Sequence, residues 1–229
     1  MEIKKKTFYK ILGTFIVILG IVLFITLNPG NGGNGNGSFE VFKNTSLFPS
    51  IGPENVKTVI EFSDFQCPWC AIASGLPEWA KSAAETNPNV AAVLGASENA
   101  KKLAKEGKIK FIYVSMSFVG KESVNAAEAG LCANEQGKFW KMHDAIFSAD
   151  SGPEENDGTF TKENLEIIAQ NISGLDQTKL SNCLKSSKML SNVQEISRIA
   201  SKFVSSTPTF FVDGKQVSSS WSEIEKYLD

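Results

Sequence analysis

The sequence predicts an α/β fold, a small mixed sheet with an all-helical insertion at about residues 120–204. Three observations predict it. Two β-favouring runs, Lys57–Ser63 and Lys108–Met116, are separated by helix-compatible sequence, and strand, helix, strand in that order implies a parallel pair joined by a crossover. A long stretch of helical spacing and polar loop follows. Asp213-Gly214 then stands between two β-like runs, Thr209–Val212 and Gln216–Ser218, which is a strong hairpin signal.

Taken in order, the chain begins with Lys4, Lys5, Lys6 and Lys10, and Ile11–Leu27 then carries no charge. As a helix these seventeen residues span about 26 Å, a little short of the ~30 Å hydrocarbon core; Phe8, Tyr9 and a snorkelling Lys10 make up the difference. Residues 1–28 are therefore expected to form a cytoplasmic tail and one N-terminal transmembrane helix, with the lysines holding the N-terminus inside. A cleaved signal peptide is the alternative. Against it, the apolar run exceeds the usual length of about 7–15 residues and no A-x-A-like site follows. Both readings export the rest of the chain. Residues 29–38 (PGNGGNGNGS) make a flexible Gly/Asn linker, and no strand or helix frames its glycines as a phosphate loop requires. The folded domain is expected over residues 39–229.

Within that domain Phe39–Phe42 and Lys57–Ser63 read as strands, and Trp69–Leu76 as a helix bent or broken at Pro77. Asn87-Pro88 ends the next helical stretch, and Ala91–Glu106, rich in alanine and lysine, reads as one helix. Ser123–Ser148 is helical, with Phe139, Trp140, His143, Ile146 and Phe147 on one face, so the chain's single histidine is expected to be packed rather than to act as a base. Ala149–Gly158 is a polar, acidic loop. Thr161–Gln170 opens with Thr161 and Asn164 as candidate caps, and Asp176–Phe203 supplies one or two further helices. Ser220–Glu223 has the pattern of a capping box opening a last short helix.

Composition narrows the function classes. With 42% hydrophobic residues in 229, the chain buries a substantial core without depending on cross-links. Beyond the first ten residues it holds 19 basic and 24 acidic side chains, a formal charge of −5. It has no basic patch of the kind nucleic-acid binding requires.

The chemistry is concentrated in Cys67-Pro68-Trp69-Cys70. The apolar run Val59, Ile60, Phe62 leads into it, and Ala71, Ile72, Ala73 leave it as helix. A cysteine at a helix N-terminus meets unpaired N–H groups and the positive end of the macrodipole, which favour its thiolate. Two sulfurs three residues apart can close a small disulfide and reopen it on attack. Two plainer readings stand beside this one. Zinc needs four ligands, and the remaining candidates (Cys132, Cys183, His143) are not closely paired. A purely structural short-loop disulfide gives Pro68 no purpose beyond a first-turn helix proline. Cys132 and Cys183 are left as an even pair on two different expected helices. In an oxidising compartment such a pair bonds, closing a loop of about 52 residues; two buried thiols are the alternative.

FSDFQCPWC, AAEAGLCANEQGKFWKMHDAIF and STPTFFVDGK, in that order over roughly residues 46–229, resemble the DsbA-like thiol–disulfide oxidoreductases of the thioredoxin superfamily. The resemblance implies a thioredoxin fold with a helical insertion. It implies Cys67 as the exposed redox sulfur, Cys70 as its partner, and Pro68 and Trp69 as the residues that tune them. It also implies a cis Pro208 beside the pair, with the Thr207 backbone pairing with substrate. Glu61, six residues before Cys67, would be a buried acid moving protons to or from Cys70; the alternative is an edge-strand surface carboxylate. No cofactor is implied. The implied partners are exported proteins with free thiols and a membrane electron-transfer partner of the DsbB or VKOR type, with the chain held to the membrane by its own anchor. Net oxidation is expected. A reductase or isomerase, or a non-enzymatic interaction module, remains the alternative. Trp69 stands where the strongest oxidases of that family place histidine, and the span from Cys70 to Lys108 points to an insertion near residues 86–100.

Overall fold

The computed structural model describes residues 39–229, so the transmembrane helix expected within residues 1–28 and the linker at 29–38 lie outside the described residues. Among the described residues no helix is long and apolar enough to cross a membrane. Strands β1 (Ser50–Ile51), β2 (Thr58–Asp64), β3 (Lys110–Met116), β4 (Thr209–Val212) and β5 (Lys215–Val217) form one sheet in the order β1-β3-β2-β4-β5. β2 and β3 are parallel, with Glu61 opposite Tyr113, and the other pairings are antiparallel. Every residue of β2 from Val59 onward is buried, as is all of β3. That is the signature of strands covered on both faces, and it makes β2 a central strand. The edge-strand alternative for Glu61 is thereby excluded. Asp213 and Gly214 turn β4 into β5 with φ of 47° and 80°, the two left-handed residues that a tight hairpin of this hand needs.

Four helices separate β2 from β3: α1 (Pro68–Ser74), α2 (Glu78–Ala84), α3 (Pro88–Val93) and α4 (Ala96–Lys105). Gly75 ends α1 at φ 69°, and a Cβ there would lie 2.8 Å from the Gly95 Cα, so both its conformation and its packing require glycine. Two sequence expectations are corrected here. Ala91–Glu106 is not one helix, because Gly95 at φ 73° separates α3 from α4. Asn87-Pro88 begins a helix rather than ending one: Asn87 Oδ1 accepts from the Asn89 and Val90 N–H groups, and Pro88 sits in the first turn.

Between β3 and β4 lie α5 (Lys121–Asn134), α6 (Phe139–Ala149), α7 (Lys162–Ala169), α8 (Gln177–Lys185) and α9 (Leu190–Ala200). Ser123–Ser148 is therefore two helices, broken at Gly137, whose φ is 66°. The Thr161 hydroxyl accepts from the Asn164 N–H, and Asp176 accepts from the Lys179 N–H, fixing the starts of α7 and α8. A disulfide joins Cys132 of α5 to Cys183 of α8. Buried Glu128 of α5 pairs with Lys162 of α7 at 3.1 Å; the Lys162 ammonium also donates to the Leu184 carbonyl at 2.6 Å and the Ser187 hydroxyl at 2.7 Å.

Phe39–Lys43 is a 3-10 turn and not a strand. Two of its apolar residues, three apart and so one 3-10 turn apart, serve as anchors: Phe39 and Phe42 pack tilted or edge-on against Phe203, Phe211, Phe48 and Phe62 at centroid distances of 5.0–5.3 Å. The last helix, α10 (Trp221–Lys226), has Ser220 at its N-cap without a side-chain cap, so the expected capping box does not form.

Candidate active site

β2 runs straight into the site. Its last residue, Asp64, is fully buried and ties two loops together. Oδ1 accepts from the Gln66 N–H (2.9 Å) and the Ser123 hydroxyl (2.6 Å), and Oδ2 from the Phe118 and Val119 N–H groups (3.0 and 3.3 Å). Burial pushes this carboxyl up, and the four donors oppose it. The Asp64 carbonyl accepts from the Cys67 N–H at 3.0 Å, and the Asp64 N–H donates to the Cys70 sulfur at 3.4 Å. Sequence reasoning missed Asp64. The available signal was a carboxylate inside an apolar run three residues before a reactive cysteine.

Cys67 is the N-cap of α1, with extended backbone (φ −75°, ψ 120°), and Pro68 takes the first helical position. Proline there costs no hydrogen bond, since that N–H has no partner in the helix, and it sets the φ that starts the turn. Cys67 is partly exposed, Cys70 fully buried, and the two are free thiols. The Cys67 thiol is held down at about 6. The Cys70 thiol donating to it is the largest cause; burial opposes, and the Thr207 hydroxyl and the N–H groups of Cys70 and Trp69 add to the effect. Cys70 is pushed well above the ordinary thiol value, first by burial and then by the neighbouring sulfur. The arrangement thus places a thiolate at the surface and a protonated thiol beneath it. Trp69 is 44% exposed and brings no charge.

The Thr207–Pro208 bond is cis, and the Thr207 carbonyl lies 3.5 Å from the Cys67 sulfur. The loop is braced by Thr209 Oγ1 donating to the Ser206 carbonyl (2.7 Å) and by Ser219 Oγ donating to the Pro208 carbonyl (3.0 Å). Thr207 Oγ1 is buried with no direct partner and lies where it favours a Cys67 thiolate.

Glu61 is 1% exposed. Burial raises its carboxyl to about 7, against the Ser97 and Ser63 hydroxyls and the Lys101 charge, which favour the carboxylate. Neither hydroxyl closes a hydrogen bond to it, and Glu61 Oε2, Ser63 Oγ, Ser97 Oγ and Tyr113 OH are all buried without a direct partner. Ser63 is the common neighbour, acting on Cys70, Glu61 and Tyr113 alike. The structure thus brings Cys67, Cys70, Pro68, Trp69, Thr207 and Pro208 together at the end of β2, with Glu61 in the middle of that strand and Ser63 acting on both Glu61 and Cys70, whereas Cys132 and Cys183 sit in the helical block. His143 is buried, its Nδ1 2.8 Å from Asp144 Oδ1, and burial lowers its pKa against the Asp144 carboxylate, which raises it. Among the described residues no group of three or more His, Cys, Asp or Glu side chains is placed to hold a metal ion.

A family model described as thioredoxin matches residues 91–229. A probable disulfide bond formation protein D of Bacillus anthracis is 23% identical over 218 residues, covering 93% of this chain and 89% of the relative. The described fold is similar to the crystal structure of oxidised BdbD from Bacillus subtilis, with a TM-score of 0.63 and 23% identity over 80% of this chain and 92% of the other. It is also similar to reduced DsbA from Mycobacterium tuberculosis, with a TM-score of 0.54 and 19% identity over 74% of this chain and 83% of that one.

Proposed function

The chain belongs to the thioredoxin family, and from that premise we propose that it is an extracytoplasmic thiol–disulfide oxidoreductase that introduces disulfides into exported proteins through Cys67 and Cys70. The observation that carries the proposal is the asymmetry of the pair: Cys67 is partly exposed, with a thiol of about pKa 6 facing the Thr207 carbonyl, and Cys70 is buried and protonated. The relatives named as disulfide bond formation proteins support the same reading.

In the oxidised enzyme a substrate thiolate attacks Cys67 Sγ. The Cys67–Cys70 bond breaks, a substrate–Cys67 mixed disulfide forms, and Cys70 leaves with the electron pair. Cys70 takes a proton, for which Glu61 is the nearby carboxylic acid and Ser63 the hydroxyl between them. A second substrate thiolate then attacks the substrate sulfur of the mixed disulfide and expels Cys67 as the thiolate its surroundings favour. Two electrons pass to the enzyme, one proton is kept on Cys70, and the other is released. Pro68 presets the first turn that aims N–H groups at Cys67, and the edge of Thr207 is the open backbone on which an extended substrate segment pairs. The sulfurs carry the electrons, so no cofactor is called for. The enzyme must be recharged by a membrane electron-transfer partner of the DsbB or VKOR type, near which the anchor at residues 1–28 would hold the domain over residues 39–229.

The test is a pair of variants. Cys67→Ser abolishes exchange with a dithiol substrate, and Cys70→Ser accumulates mixed disulfides on Cys67, visible on non-reducing gels of exported proteins. In the reduced wild type, iodoacetamide labels Cys67 quickly at pH values near 6 while Cys70 stays unmodified. Faster labelling of Cys70 would overturn the assignment.

A further inference from the structure

The redox pair is one of two cysteine pairs in the described fold, and the other is already oxidised. Cys132 of α5 and Cys183 of α8 are bonded across a sequence separation of 51 and are only 1% and 6% exposed. Once folded, the two helices are clasped to each other near that bond. The Gln136 side chain accepts from the Asp176 N–H at 2.8 Å and donates to the Asp176 carbonyl at 3.3 Å, and Lys188 Nζ donates to both carboxylate oxygens of Glu135 at 2.7 Å. Thiol–disulfide exchange needs an open approach to the reacting sulfur, so this bond has to form before the block closes. The chain's own site is not ready at that stage. Cys67 and Cys70 precede the insertion, whereas Thr207 and Pro208 follow it and reach Cys67 only when β4 has paired with β2, Thr209 opposite Phe62. Cys70, Cys132 and Cys183 also belong to one contiguous core, so completing the site and burying the second pair are the same event.

We propose that a newly exported copy of this chain is itself a substrate: a folded, oxidised second copy makes its Cys132–Cys183 bond in trans, before its helical block closes. This rests on the reading of the protein as an oxidase and names a substrate for it. The thiolate of Cys132 or Cys183 on the unfolded copy attacks Cys67 Sγ of the folded one, and the Cys67–Cys70 bond breaks with Cys70 taking the electron pair and a proton. The remaining thiolate of the new chain then attacks its own chain's sulfur in the mixed disulfide and expels Cys67. Two electrons pass from the new chain to the folded copy, one proton stays on Cys70 and the other is released. The folded copy is left reduced and must be recharged before it acts again. The unfolded segment around either cysteine is free to extend and pair along the Thr207 edge, which a closed helical block is not. Maturation is therefore autocatalytic, each finished copy speeding the completion of the next.

The experiment uses the full chain carrying Cys67→Ser and Cys70→Ser, reduced and denatured, so that Cys132 and Cys183 are its only thiols. It is diluted into a glutathione redox buffer alone, with substoichiometric folded and oxidised wild type, or with folded Cys67→Ser protein. Quenching, alkylation and mass spectrometry then report the Cys132–Cys183 bond. The bond forms at least ~10-fold faster with wild type than without it, at a rate proportional to the wild type added, and Cys67→Ser gives no acceleration. Wild type added only after the reduced chain has folded gives none either. Equal rates with and without wild type, or equal acceleration after folding, overturn the proposal. If the doubly substituted chain does not refold, the reduced wild-type chain decides by its own time course. A lag that a seed of folded, oxidised copy removes supports transfer between copies, and a course without lag that ignores both seed and protein concentration refutes it. Failure of the underlying reading looks different: oxidised wild type then leaves an unrelated reduced protein untouched as well, whereas oxidation of that protein but not of the sister chain defeats this inference alone.

Discussion

Glu61 is a buried acid whose placement makes the stability of the fold depend on pH. A carboxyl in a central strand with its carboxyl raised to about 7 stays protonated in the folded chain, while in the unfolded chain it ionises near its ordinary value of 4.5. Between those two values the folded state binds more protons than the unfolded one, so stability falls as pH rises through the window and levels off above it. Below the window both states are protonated and the group has no effect. At ~1.4 kcal/mol per pH unit, the loss by pH 8 is about 3 kcal/mol. Glu61→Gln removes it: measured on oxidised protein, where Cys67 cannot titrate, the variant is more stable than wild type at pH 8 and the gap closes toward pH 5. Denaturant unfolding at several pH values checks this, and the difference between the two proteins cancels Asp64, Asp150 and His143, which titrate in both. Parallel wild-type and variant curves would show that Glu61 is not the buried acid described. The cysteine pair was legible in the sequence because its position between a β-like run and a helix-like run has local causes. Asp64, Ser63 and Ser97 were not legible, because their meaning comes from loops and helices brought to them by the fold.

At the level of elements the sequence marked strands and helices where period and punctuation agree, as in β2, β3 and the Asp213-Gly214 hairpin. It misled where a single glycine interrupts an otherwise helical pattern. Gly95 and Gly137 each sit in such a run, and only their left-handed φ reveals a break. Phe39–Phe42 misled for another reason: a short run of β-favouring residues also fits a 3-10 turn, whose three-residue period puts Phe39 and Phe42 together in an aromatic cluster. The helical block is held by the Cys132–Cys183 link between α5 and α8 and by Lys162, which ties α7 to Glu128 and to the carbonyl of Leu184. A loop of that length contributes ~4 kcal/mol in the chain-entropy model. Replacing both cysteines by alanine therefore lowers the stability of the chain by about that amount while leaving exchange at Cys67 intact, measured by denaturant unfolding and by dithiol oxidation. Loss of exchange in a variant that still folds would mean that the second pair takes part in the chemistry.

For the whole molecule the direction of electron flow depends on how strongly the fold stabilises the reduced pair. Oxidising power grows as the thiolate of the reduced form is stabilised, ~1.4 kcal/mol for each ~30 mV of this two-electron couple. Here that stabilisation comes from the Cys70 thiol, the Thr207 hydroxyl and two N–H groups at the start of α1; among the described residues no cation is a cause of it, and Trp69 is uncharged and 44% exposed. Hydrogen bonds and a helix terminus lower a thiol less than a full charge in the same place would. The poise is therefore expected to fall between the values of about −270 mV for thioredoxin and about −120 mV for DsbA, with oxidation of substrate thiols as the expected net flow. Equilibrating the full chain against glutathione redox buffers gives the potential directly. A value at or below that of thioredoxin would make the protein a reductase fed through the membrane. Trp69→His should raise the potential, because an imidazolium at the second position of α1 adds the missing charge beside Cys67, and the rise should be largest below the histidine's own pKa. A potential indifferent to that substitution would show that the helix terminus alone sets the thiolate.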